Sequence, residues 1–106
     1  MEALPSVMPK ISCPEGVVFL RVAFVEGRPH HVYPFCGKAG TAVASIADAL
    51  GRLASRLLQR GEPVEDIIAM MSGITHDRST PLYDALSLSD AIARGLEMAM
   101  AAQEDA

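Results

Sequence analysis

Residues 17–60 read VVFLRVAFVEGRPHHVYPFCGKAGTAVASIADALGRLASRLLQR, and the apolar period changes from two to 3.6 across the Cys36–Thr41 turn. In the first half, Val18, Leu20, Val22 and Phe24 alternate as the buried face of a strand over 17–25. Arg21 interrupts the other face, which is therefore wet or turned to a partner. Glu26-Gly27-Arg28-Pro29 is a turn signal, and His30 to Phe35 forms the second, antiparallel strand. Pro34 removes a ladder donor, so this strand belongs at an edge or carries a bulge. In the second half, Val43, Ile46, Ala47, Leu50, Leu53, Ala54, Leu57 and Leu58 follow helical spacing over 41–60. Gly61 suits the left-handed residue that closes a helix, and Arg56 and Arg60 complement the negative end of its dipole.

Outward from this segment the signals are shorter. Pro5, Pro9 and Pro14 predict an extended or irregular stretch over 1–15, with residues 1–10 flexible. Pro63 opens a short helix over 63–71, with Glu65 and Asp66 in its first turn. Residues 73–86 form a polar loop, and Ser87 with Asp90 resembles a capping box before a helix over 88–102. Residues 103–106 are expected to fray. The expected fold is α+β and a single domain over 1–106, with its core between 11 and 98. An antiparallel hairpin or sheet packs against one long helix and two shorter ones. A hairpin leaves open edges, so homodimerisation through strands or helices is expected to complete it.

Composition sets limits on function. With 106 residues the chain is too short for a two-domain reductase or dehydrogenase. Half the residues are hydrophobic, which excludes a disordered tail. A net charge of −4 argues against a nucleic-acid partner, because phosphate neutralisation needs a basic excess. Residues 1–10 lack a basic segment followed by a long apolar run, and no apolar stretch approaches the roughly 20 residues of a bilayer span. No signal peptide and no membrane partner are expected, and a cytoplasmic location follows as the default. Two cysteines do not make a disulfide framework.

The candidate site is the turn Gly37-Lys38-Ala39-Gly40-Thr41. Here a strand gives way to a helix whose first N–H groups lack intrahelical partners and whose dipole is positive. Lys38 adds a charge, and Thr41 caps or donates a hydroxyl. The spacing is neither a P-loop nor a dinucleotide fingerprint, and the same glycines also serve a plain helix start. Arg28, Arg78 and His76 complete the set of anion contacts, since arginine grips two oxygens at once. Arg52, Arg56 and Arg60 form a stripe that serves either a phosphate surface or a solvated face. His30 and His31, adjacent on a strand, point to opposite faces. Cys13, Cys36 and His76 lack zinc spacing, so neither metal nor cofactor is expected, and no catalytic triad order is visible.

Several pieces taken in order resemble the TSCPD domain. They are Ile11-Ser12-Cys13-Pro14-Glu15-Gly16 before the strand, Gly37-Lys38-Ala39-Gly40 after it, and Ala49-Leu50-Gly51-Arg52-Leu53-Ala54-Ser55-Arg56-Leu57-Leu58-Gln59-Arg60-Gly61. Met71-Ser72-Gly73-Ile74 follows, and the naming motif stands at Ser87-Leu88-Ser89-Asp90-Ala91-Ile92-Ala93-Arg94-Gly95-Leu96. The resemblance spans 11–98. In the naming motif, Leu88 and Ser89 replace the family's Cys and Pro, and Thr75-His76 stand where a further Cys is common. Of the family's cysteines only Cys13 is kept, which weakens any metal or thiol site. The resemblance implies a module found near the C-terminus of adenosylcobalamin-dependent ribonucleotide reductases and as short free-standing proteins, without the catalytic barrel. In size and organisation the chain is also similar to phage Thoeris anti-defence sponge proteins, which hold cyclic ADP-ribose-type signals without cleaving them.

The expected function is a non-catalytic module that sequesters or senses a phosphorylated nucleotide, cyclic forms and phage-defence signals included. It would act in the cytoplasm, or in the host cytoplasm if phage-encoded. The alternative is an accessory or regulatory module of ribonucleotide reductase acting in trans in deoxyribonucleotide synthesis. The expected ligand contacts are Lys38, Gly40, Thr41, Arg28, Arg78 and His76.

Overall fold

The computed structural model describes residues 6–37, 40–75 and 82–105. In chain order the elements are β1 (Ser6–Val7), β2 (Lys10–Cys13), β3 (Gly16–Val25), β4 (Arg28–Cys36), α1 (Ala42–Gln59), α2 (Val64–Met71) and α3 (Leu88–Asp105). The sheet is antiparallel and four-stranded, so the architecture is α+β. β3 is central. β4 runs along one side of it, while β2 and β1 share the other side, opposite Gly16–Phe19 and Val22–Ala23 respectively.

β3 and β4 join through Glu26 and Gly27, with φ of 53° and 76°. Two consecutive positive φ values match the twist of the flanking strands, which is why glycine suits this turn. A register shift between Ala23 and Phe24 marks a bulge near the hairpin's closed end. The N-terminal stretch, expected to be extended or irregular, is extended and paired where it is described. Ser6–Val7 and Lys10–Cys13 are strands, because their N–H and C=O groups pair with β3, and Pro9 interrupts without ending the pairing. The Pro9 carbonyl still accepts the Leu20 N–H at 3.0 Å. The tail differs from expectation, since α3 stays helical to Asp105.

All three helices lie on one side of the sheet. α1 covers β4, α3 covers β2 and β3, and α2 packs against α3. The core joins Ile11, Val18, Leu20, Val22, Phe24 and Val32 to Leu58, Ile67, Ile92 and Leu96. Two helical glycines set the layer spacing. A Cβ on Gly51 would fall 2.4 Å from Pro34 Cδ, and one on Gly95 would fall 2.6 Å from Leu20 Cδ2.

α1 turns a different side to the sheet than its apolar count suggests. Ala47, Gly51, Ala54, Ser55 and Leu58 are buried, whereas Ile46 and Leu53 are 53% and 64% exposed. The small residues face inward because Val32 and Pro34 leave no room for a leucine there.

Candidate functional site

Thr41 caps α1 with extended backbone, and its Oγ1 accepts the Ala44 N–H at 3.2 Å. Gly37 and Gly40, with φ of 75° and 86°, bring the chain round from β4. Gly40, Thr41, Ala42, Ala44, Ser45 and Asp48 line a shallow cavity of about 330 Å³ at this end. One amide is therefore already satisfied, and Asp48, bonded to Arg52 Nε at 3.0 Å, brings a negative charge to the same cavity. Lys38, His76 and Arg78 lie outside the described residues.

Among the described expected contacts, Arg28 stands apart from this turn. It begins β4, whereas the turn follows the end of β4, eight residues on, or roughly 26 Å at strand rise. It borders another cavity, of about 420 Å³, with His30, Gln59, Glu62 and Glu65 at the C-terminal end of α1. Gln59 Nε2 donates to the His30 carbonyl at 3.2 Å and ties these ends together. Within one chain, then, Arg28 at the hairpin turn and Gly40 and Thr41 at the helix start are not brought together, because they stand at opposite ends of the same strand.

The cysteines form a closed pair. Cys13 donates its thiol proton to the Gly16 carbonyl at 3.2 Å, and Cys36 Sγ lies over Gly16, 3.4 Å from where a Cβ would stand. Burial pushes Cys13 up to about 11 and raises Cys36 as well, so both thiols stay protonated at neutral pH. Beside them, Glu15 Oε1 accepts the Leu88 N–H at 2.8 Å. Leu88, standing where the TSCPD motif has cysteine, is buried. Among the described residues no three His, Cys, Asp or Glu side chains are grouped to hold a metal ion.

The Ser87–Asp90 motif is a fastener. Ser87 Oγ accepts the Asp90 N–H at 3.2 Å, as the capping pattern predicts, and donates to the Ile74 carbonyl at 2.5 Å. The Asp90 carboxylate, 1% exposed, does not reach back to its own cap. It accepts Gly73 N–H at 2.8 Å, Leu86 N–H at 2.9 Å and Arg94 Nε at 3.2 Å. Gly73, Ile74 and Leu86 are thereby pinned to the start of α3.

The outer edge of β4 is closed by α1. Ser55 Oγ accepts the Val32 N–H at 2.8 Å and donates to the Val32 carbonyl at 3.2 Å. Two residues on, Pro34 has no N–H to offer. Along α1 the Arg52 side chain is 81% exposed and paired with Asp48, which fits the solvated-face reading of the arginine stripe.

The side of the sheet away from the helices stands open. Register places Lys10, Phe19 and Phe35 across one rung, Arg21 and Tyr33 across the next, and Ala23 and His31 across a third. Phe19, Tyr33 and Phe35 are 43%, 39% and 55% exposed. Lys10 Nζ sits 5.8 Å from the Phe19 ring centre, and the Arg21 guanidinium 5.5 Å from that of Tyr33. His31 stacks on Tyr33 with centres 5.5 Å apart and planes 14° from parallel. His30 and His31 do not diverge as adjacent strand residues should. Their rings meet edge to face at 4.7 Å, next to the bulge that disturbs the alternation. Partial burial, then His30 and Arg21, lower the His31 pKa and keep its ring neutral at pH 7. None of the residues paired across these rungs is acidic, and the nearby Asp84 carboxylate is taken up by Ser12 N and Oγ at 3.0 Å each. Sequence reading missed this surface because the three rings come from two strands. The signal was there in the odd-numbered positions of both strands, 17–21 and 33–35.

A family model of the TSCPD domain matches residues 2–100. No curated protein and no solved structure matches the chain. No helix among the described residues is long and apolar enough to cross a membrane.

Proposed function

The chain belongs to the TSCPD family, and from that premise we propose that it is a non-catalytic module that binds a phosphorylated nucleotide and so sequesters or senses it. One observation carries this reading. In a chain of net charge −4, the open sheet face gathers exposed aromatic rings with Lys10 and Arg21 beside them and no acidic strand partner. Rings accept a base by stacking, and the cations accept phosphate. The non-catalytic half of the proposal draws on the two thiols, which are buried and held protonated. Lys38, Gly40 and Thr41 remain the proposed alternative phosphate contact at the start of α1. A cytoplasmic location belongs to the same reading.

Calorimetry with a panel of nucleoside phosphates and cyclic nucleotide signals, followed by chromatography of the recovered ligand, tests it. Saturable binding with the nucleotide recovered intact is the expected result. Turnover of the ligand, or no heat across the panel, overturns it.

Family membership over nearly the whole chain favours the second reading, an accessory or regulatory module of ribonucleotide reductase acting in trans. Co-purification of a reductase with the tagged chain from its native host is the expected result of that alternative.

A further inference from the structure

The open face repeats one arrangement, and the repeat suggests the size of its ligand. The first rung carries Lys10 against Phe19 with Phe35 beside it, and the second carries Arg21 against Tyr33. Successive rungs on one face are two residues apart, about 6.7 Å along the strand. Bases splayed out of their own stack lie on successive aromatic side chains of a sheet. Two bases therefore fit on adjacent rungs, each next to its own cation. We propose that this face binds a dinucleotide, two bases joined through phosphate, with the bases on Phe19/Phe35 and Tyr33 and the phosphates at Lys10 and Arg21. The inference rests on the nucleotide-binding reading above and adds to it the ligand class and the place.

Charge decides against the other occupants. Two cations match two phosphates, whereas a longer strand would set further phosphates against a chain of net charge −4. A second copy laid face to face would oppose Lys10 and Arg21 to the same cations of its twin, with no acidic strand residue between them. His31 is neutral at pH 7 and extends the row of rings without adding charge.

The test measures binding of pApA, AMP and a twelve-residue oligodeoxyadenylate to the full chain and to Phe35→Ser, Tyr33→Ala, Arg21→Gln and Lys38→Ala, with circular dichroism as the folding check. The expected result is pApA at least tenfold tighter than AMP, and a loss of about tenfold or more in each of the first three variants. The exposed Phe35 keeps the test decisive should Arg21→Gln unfold. Equal affinity for AMP and pApA, tighter binding of the oligomer, or loss confined to Lys38→Ala overturns this inference while leaving nucleotide binding in place. No binding by any probe, nor by the wider nucleotide panel, overturns both.

Discussion

Asp90 is a carboxylate with almost no contact with water, held by three donors from three places in the chain. Burial would raise its pKa, but the Gly73 and Leu86 amides, together with Arg94, outweigh that and hold it below the usual carboxylate range. Asn at this position would turn an NH2 group toward amide donors, so Asp90→Asn should cost about 2–4 kcal/mol in urea unfolding at pH 7. The pH dependence has a definite sign. Both Asp90 and His31 have folded pKa values below their unfolded ones, so the unfolded chain takes up protons first as the pH falls. The stability each contributes is present above its unfolded value. It is lost in two stages, beginning below pH 6.5 for His31 and below 3.8 for Asp90. Urea midpoints measured from pH 8 to 3 should fall in that order, and Asp90→Asn should flatten only the acidic stage. At this scale the sequence was half informative. Ser87 and Asp90 showed a helix start, but the carboxylate's partner at Gly73 is 17 residues away, and local spacing cannot reveal it.

At the level of elements, the rotation of α1 was the hidden quantity. Its 3.6 period established a helix, yet eight apolar positions spread over two sides left open which side meets the sheet. Close approach decides this, because only small residues fit over Val32 and Pro34. Gly51→Ala should therefore cost about 1–3 kcal/mol, since the added methyl meets Pro34 and the Val32 carbonyl, 2.8 Å away. Helix propensity alone would act in the opposite direction, because alanine is favoured over glycine in a helix interior, so a loss marks the effect as steric. Ser55 has a comparable role through hydrogen bonds. Ser55→Ala leaves the outward N–H and C=O of Val32 without their partner, at a cost of about 1–3 kcal/mol, and hydrogen exchange should quicken first at the Val32 amide. The strand pair and all three helices were legible because each carries a strong period. β1 and β2 were not, because three prolines within 14 residues outweighed four residues of alternation.

For the whole molecule, one broad side is core, one broad side is open, and the flank along α1 carries Ile46, Leu50, Leu53 and Leu57 at 4-3-4 spacing. That spacing is the seam of paired helices. The proposed homodimer is accordingly assigned to α1, since the β4 edge is occupied by Ser55 and Pro34. Light scattering at micromolar concentration should give twice the chain mass, and Leu53→Glu should halve it with the circular dichroism spectrum unchanged. A monomeric wild-type chain would refute the dimer. The open aromatic face was the least legible feature of all. Phe19 and Phe35 are 16 positions apart in the chain and meet only through strand register.

The stitched border of β4 also sets how copies of this protein meet one another. A strand with a free border is a template, and each molecule added to it presents the same border again, so growth has no end. Here one serine hydroxyl and the N–H that Pro34 lacks remove that border on the β4 side, so copies that meet along β1 and β2 offer no second border to a third. Such contacts saturate once the matching surfaces are filled, so crowded copies should stop at a defined assembly instead of growing into fibres.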